Sequence, residues 1–195
     1  MHRHFVIHKP YGFLSQFVNN QSKRNSSKRL LGELHDFPEG IMAIGRLDED
    51  SEGLLLLTTN GIVSEQVRSR KVEKEYYVQV DGLIDGHAID RLNNGVEIGV
   101  HGKKYMTLPS MSKLLDPAPE FKERSRRVRS DRHGPTSWVS IIITEGKFRQ
   151  VRKMTAAVGF PTLRLIRIRI GQIRLGKLPS GSILEVDQFN LNNAD

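Results

Sequence analysis

The 195-residue sequence contains no cysteine. That single absence excludes disulfides, cysteine-ligated zinc and a thiol nucleophile. Long apolar runs are also missing, and none approaches the roughly 20 residues that a membrane span needs. The start, MHRHFVIHKPYGF, is basic but has neither a useful apolar stretch nor a small-residue cleavage site, so no secretory leader is expected. A cytoplasmic protein with no membrane partner is the expectation. There is no Walker loop and no G-x-S-x-G elbow. The seven histidines (His2, His4, His8, His35, His87, His101 and His133) have no metal-ligand spacing, and no metal is expected. Internal repeats and low-complexity tracts are absent as well.

Acidic residues are scarce in one region. Residues 121–174 hold 14 Lys+Arg against 3 Asp+Glu, a surplus of eleven positive charges in a chain whose net charge is +8. The remainder is therefore slightly acidic, and the basicity is regional. Regional positive charge is the electrostatic footprint of a nucleic-acid partner; a solvated, solubilising face is the plain alternative.

Hydrophobic periodicity outlines the elements. Residues 3–8 predict a strand that stops at Lys9-Pro10-Tyr11-Gly12, because proline cannot sit in a central ladder and Tyr-Gly supplies a turn. Residues 19–28 are polar and predict a loop, after which Ser26 or Ser27 can cap a short helix carrying Leu30, Leu31 and Leu34. Ile41 to Ile44 and Leu54 to Leu57 predict two buried strands. A helix from Asn60-Gly61 to Arg70 should put Ile62, Val63 and Val67 on one side. VEKEYYVQV (72–80) alternates, with Val72, Lys74, Tyr76, Val78 and Val80 on one face. A helix over 85–93 and strands near 96–106 and 109–115 follow. Residues 116–135 have no period and predict a long loop. The last third predicts strand (137–144), helix (147–158), strand (162–170) and short strands to about Phe189. Helices and strands mix without regular βαβ spacing, so the fold class is α+β, with a largely antiparallel or mixed sheet.

One stretch stands out against the basic background. In IMAIGRLDEDSEGLLLLTTNG (41–61), Asp48, Glu49, Asp50 and Glu52 crowd a loop between two core strands. Acids repel a polyanion unless one of them does chemistry, and Asp48, at the mouth of the strand, is the candidate. Asp48, Asp50, Glu52 and Gly53 also fall at positions 1, 3, 5 and 6 of a calcium loop. Position 12, however, is Thr59 where a bidentate Glu is required, and the flanks read as strands. A solvated turn is the other alternative, and Glu49 suits it best.

The predicted helix KFRQVRKMTAAV (147–158) places Phe148, Val151, Thr155 and Val158 on one stripe. Arg149, Arg152 and Lys153 then lie at i, i+3 and i+4 on another, as a phosphate or carboxylate platform or as a plain surface face. The next strand carries Arg164, Arg167, Arg169 and Arg174. Alternation puts Arg167 and Arg169 together, which is costly to bury without anionic partners. Tyr76 is either a core tyrosine or a ring on which an unpaired base stacks.

GRLDEDSEGLLLLTTNG (45–61) resembles the signature of pseudouridine synthases of the RsuA type. KPYG (9–12) is similar to that family's first motif and KEYYV (74–78) to its K-x-Y-x-V strand. EGKFRQVRKM (145–154), with LGKLPSG (175–181) downstream, is similar to its third motif. Four motifs in order over nearly the whole chain make the resemblance specific. It implies one catalytic domain over 1–195, or two lobes about a cleft, with a central sheet, flanking helices, an RNA-binding cleft and no cofactor. It implies Asp48 as the catalytic aspartate, Tyr76 as the tyrosine beneath the target base and Arg152 as the arginine that pairs with the aspartate. Lys9, Arg46, Lys74, Lys147, Arg149, Gln150 and Lys153, from the same motifs, become candidate RNA contacts, and the loop adds Arg126, Arg127 and Arg129. Most relatives carry an N-terminal S4 RNA-binding domain, for which the residues before Lys9 leave no room. This implies the S4-less large-subunit branch of the family, acting on 23S ribosomal RNA; a monomer is the expectation. The reaction breaks N1–C1′, rotates uracil and rejoins it through C5, so it needs a carboxylate at the sugar and a flipped-out uridine. A non-catalytic RNA-binding or ribosome-assembly factor of the same fold, and a metal-dependent nuclease, are the competing readings.

Overall fold

A computed structural model describes residues 2–18, 28–68, 72–128 and 131–190. The chain forms two compact units, Met1–Val72 with Arg167–Asp195, and Glu73–Ile166. Its class is α+β.

In the first unit the central strand is β5 (Glu52–Thr58), every residue of which is buried. A run of four leucines rather than an alternating pattern is what a strand covered on both faces requires. Strand β1 (His4–Lys9) pairs antiparallel with β5, Phe5 opposite Leu57 and Lys9 opposite Gly53. On the other side of β1 lies β13 (Ile183–Val186), also antiparallel. Strand β4 (Met42–Ile44) pairs antiparallel with β5, with Ile44 opposite Leu56. Two short strands, β2 (Phe13–Leu14) and β3 (Arg29–Leu30), pair in parallel.

The expected helix at Leu30–Leu34 is reduced to a single 3-10 turn, Leu31–Glu33, because Leu30 is held in β3. Its proposed caps, Ser26 and Ser27, lie outside the described residues, as does most of the loop predicted over 19–28. Helix α1 (Gly61–Arg68) starts where Asn60 Oδ1 accepts from the Ile62 amide, at 3.0 Å. Val67 is buried in it, but Ile62 points outward and is 71% exposed, so Ser64 rather than Ile62 shares the inner side.

In the second unit, β6 (Lys74–Asp81) pairs antiparallel with β10 (Thr136–Ile143), and β10 with β9 (Met111–Leu114). The alternation of VEKEYYVQV is realised, with Tyr76, Val78 and Val80 buried. Helix α2 (Gly86–Asn94) begins at the Asp85 cap, whose carboxylate accepts from the Ala88 amide, and packs on β9. Strands β7 (Glu97–Val100) and β8 (Lys103–Met106) form a hairpin, and α3 (Gln150–Ala157) packs on β7. Among the described residues, 116–135 carry one 3-10 turn, Asp131–His133, and otherwise no regular structure. Phe121 anchors that segment, set against Tyr77 and Trp138 with the Arg164 guanidinium over its ring.

Strand β11 (Thr162–Ile170) carries the chain from the second unit back to the first, where it turns into β12 (Ile173–Arg174). LGKLPSG then returns the backbone to β1, with the Gly181 amide donating to the His8 carbonyl.

Candidate active site

The first unit holds Asp48 at the start of a tight turn, closed by the Ser51 amide donating to the Asp48 carbonyl at 3.0 Å. Its neighbour Leu47 is buried and bonded through both backbone groups to one hydroxyl. Ser15 Oγ donates to the Leu47 carbonyl (2.8 Å) and accepts from the Leu47 amide (3.0 Å). The Gly12 amide donates to the Glu49 carbonyl at 2.8 Å. Beneath the turn sits Lys9, fully buried, with Nζ donating to the Ser51 carbonyl (2.8 Å) and the Pro10 carbonyl (3.0 Å). KPYG thus braces the backbone that carries Asp48.

Lys9 was expected to contact RNA, and the structure corrects this. As the last residue of β1, opposite Gly53, it points into the interior, where no phosphate reaches it. Burial pushes its pKa down to about 7, opposed by the carboxylates of Glu52, Asp50, Asp48 and Glu49. The acidic loop is therefore in part the counter-charge of a buried lysine. Glu49 is further tied to Lys28 at 2.7 Å. Arg46 is exposed.

Gly53 in the same motif has φ +106°, and a Cβ there would collide with the Arg167 backbone carbonyl. The close approach lets Arg167 Nε donate to the Leu54 carbonyl at 2.8 Å. Arg167 and Arg169 are both buried, although burial without anionic partners was expected to be costly. Their described acceptors are main-chain carbonyls, Leu54 for Arg167 and Gly171 for Arg169.

The second unit holds Tyr76 and Arg152. Tyr76 sits on β6 opposite Ile141 and is 9% exposed. Lys74, two residues before it, is half-buried, with Nζ 3.5 Å from the Thr144 carbonyl. Beyond β10, the loop Glu145–Arg149 is built around one buried carboxylate. Glu145 accepts from the Tyr105 hydroxyl, the Leu108 amide (3.0 Å) and Gln150 Nε2 (2.7 Å). Burial alone would raise its pKa; those three bonds and the Lys147 ammonium together hold it below the usual carboxylate range.

Glu145→Gln should therefore lose about 1.5–3 kcal/mol at neutral pH, the worth of hydrogen bonds to a charged group. Because the folded pKa is depressed, this stabilisation is present above the unfolded carboxylate pKa and lost as pH falls through the folded one. Denaturation of wild type and variant across acid pH should show the gap closing toward low pH; a pH-independent gap contradicts the account.

Gln150 is likewise corrected. It is 3% exposed, and its amide is committed to Glu145 and to the Lys147 backbone N–H (3.0 Å), so it holds the loop instead of facing a ligand. The helix begins three residues later than expected. Arg149 is its cap, in the left-handed region at φ +52°, which removes it from the face shared by Arg152 and Lys153. Phe148 leaves the predicted stripe and is 60% exposed, while Val151, Met154, Thr155 and Val158 form the buried side. Arg152 is half-buried, and Lys153 Nζ donates to the Gly99 carbonyl at 2.7 Å. Lys147 is half-buried over the Tyr105 ring, at 4.6 Å. Arg126 and Arg127 are exposed; Arg129 lies outside the described residues.

Two functional supports have no sequence signal of their own. Ser15 belongs to no motif, and Tyr105 lies 40 residues from the carboxylate it meets. Among the described residues no three His, Asp or Glu side chains gather as a metal site would need. No helix among those residues is long and apolar enough to cross a membrane.

The chain is similar to known proteins over most of its length. The family description RNA pseudouridylate synthase matches residues 3–157. A ribosomal large subunit pseudouridine synthase E of Vibrio parahaemolyticus serotype O3:K6 is 41% identical over 185 residues, 93% of this chain and 72% of that protein. One of Xanthomonas axonopodis pv. citri is 42% identical over 175 residues, 89% of this chain and 88% of that protein. A crystal structure of a pseudouridylate synthase superposes with a TM-score of 0.71 and 27% identity, covering 95% of this chain and 70% of that one. The GRLD turn, KPYG, the K-x-Y-x-V strand and EGKFRQVRKM all lie within the matched residues, and the chain belongs to the RNA pseudouridylate synthase family.

Proposed function

We propose that this chain converts a uridine of large-subunit (23S) ribosomal RNA to pseudouridine, with Asp48 as the essential carboxylate. The supporting observation is the independent bracing of Leu47, Glu49 and Ser51, on either side of Asp48, by Ser15, Gly12 and Lys9, within a family named for this isomerisation. The substrate class follows the relatives, named as large-subunit synthases. The N1–C1′ bond breaks, uracil turns, C5 bonds to C1′ and the C5 proton is lost while N1 regains one, so atoms balance without a redox partner. Asp48 acts at the sugar, where positive character develops, as nucleophile or base. Tyr76 lies beneath the flipped base, and Arg152 pairs with and orients the carboxylate.

Arg46, Lys74, Lys147, Arg149, Lys153, Arg126 and Arg127 supply phosphate contacts that offset the few kcal/mol of base flipping. The proposal includes a monomer working in the cytoplasm without a cofactor. Pseudouridine mapping of total ribosomal RNA from a strain lacking this protein should show an unmodified large-subunit uridine, restored by the wild-type gene. An unchanged map would refute the proposal.

Tyr76 gives a graded test. Tyr76→Phe keeps the ring and should bind RNA like wild type while turning over more slowly. Tyr76→Leu should lose roughly a further 1–3 kcal/mol if a base stacks there. Equal behaviour of the two variants in binding and single-turnover assays would make Tyr76 a plain core residue.

A further inference from the structure

Phe148 is the exception in the loop before α3. The residues on either side are fixed at some energetic cost. Glu145 is buried and triply hydrogen-bonded, Gln150 closes the loop, and Arg149 holds a left-handed backbone that non-glycine residues seldom adopt. The outcome of this rigidity is that a phenylalanine projects into solvent, 60% exposed. An isolated exposed apolar side chain would need no explanation. This one has an ammonium group against its ring.

Lys153 Nζ stands 5.1 Å from the Phe148 ring centroid and spends one of its three hydrogens on the Gly99 carbonyl. Lys147 Nζ stands 4.6 Å from the Tyr105 ring. On the hairpin, Lys103 and Tyr105 are two apart on β8 and so share a face, and Lys103 is exposed. The neighbouring acids do not oppose an anion: Glu145 is buried among donors, and Glu97 is paired with Lys104 at 2.9 Å. An exposed aromatic ring on a fixed loop, with an ammonium group beside it, matches what single-stranded nucleic acid requires, a stacking platform beside phosphate contacts.

We infer that Phe148, with Lys153 beside its ring and Lys147 preceding it in the chain, is a stacking site for an unpaired nucleotide of the RNA other than the one being isomerised. The inference rests on the reading of the chain as an RNA-modifying enzyme. The ring takes the base face, and the lysines take the flanking phosphates. Such a site grips RNA where its bases are already unstacked, and so favours loops and bulges over continuous duplex.

The test compares wild type with Phe148→Ala, Phe148→Leu and Phe148→Trp. The probes are a short single-stranded RNA of mixed sequence and the same RNA annealed to its complement. Removing one stacked base should weaken single-strand binding by about 5- to 150-fold in the Ala variant. Leu should resemble Ala, Trp should resemble wild type with its emission quenched by the single strand, and duplex binding should not change. Wild-type affinity in the Ala variant overturns the site. So does a Leu variant that binds like wild type, which would mean an apolar contact alone, or an equal loss on duplex. These measurements need no turnover. Absence of pseudouridine from a wild-type reaction on a large-subunit ribosomal RNA fragment would therefore overturn the enzymatic reading separately.

Discussion

Asp48→Ala should lower single-turnover pseudouridine formation by about a thousandfold or more, as expected when the residue acting on the reacting atoms is removed. The protein should stay folded. The bonds that shape the turn join Ser15 to Leu47, Gly12 to Glu49, Lys9 to Ser51 and Ser51 to the Asp48 carbonyl, none of them through the Asp48 carboxylate, and Glu52, Asp50 and Glu49 remain as counter-charges of Lys9. RNA binding should be unchanged or slightly tighter, because the substitution removes a negative charge from a protein that binds a polyanion, and the positive surplus lies in 121–174. Asp48→Asn should behave alike, since shape is kept and charge is lost. A stopped reaction with intact affinity is therefore the signature. An Ala variant that kept a rate near wild type would refute Asp48 as the catalytic carboxylate, whatever happened to binding.

Arg152→Lys should lose about a hundredfold in the same single-turnover rate while binding RNA normally. Lysine keeps the charge, but not the planar fork that holds a carboxylate in one orientation through two bonds. A difference of that size corresponds to the 1.5–3 kcal/mol of a charge-assisted hydrogen bond. The structure supplies the controls. Arg149 caps α3 from a left-handed backbone, and Lys153 is occupied with the Gly99 carbonyl, so neither is equivalent to Arg152. Arg149→Lys and Lys153→Arg should each change the rate by less than about threefold, within the range of ordinary surface substitutions. Saturating RNA removes affinity from the comparison. Three equal rates would reduce Arg152 to a phosphate contact.

What could be read from the linear chain is what periodicity and order encode. The short Leu54–Leu57 run, bounded by turn residues, reads as a strand covered on both faces, and it is one. The alternation of Tyr76, Val78 and Val80 specified which side of β6 faces the core. The excess of Arg and Lys over 121–174, and four motifs in the right order, identified an RNA-directed family with no structural input. Composition of this kind is local, and local signals survive without a fold.

The tertiary structure decided where charged and polar groups end up, because that depends on residues far away in sequence. Lys9 looked like an RNA contact, yet its pairing opposite Gly53 aims it under the acidic turn, where the carbonyls of Pro10 and Ser51 accept its hydrogen bonds. Gln150 lay among the cations of its motif, but Glu145, itself recruited by Tyr105 and Leu108, draws its amide inward. That same network ends the loop at Arg149 and starts the helix at Gln150, which turned Phe148 from an expected core residue into an exposed ring. Ser15 carries no pattern and still holds both backbone groups of Leu47. A lysine or a glutamine has the same identity in the sequence whether it meets water or a buried acceptor, and only the partner brought across the fold determines which.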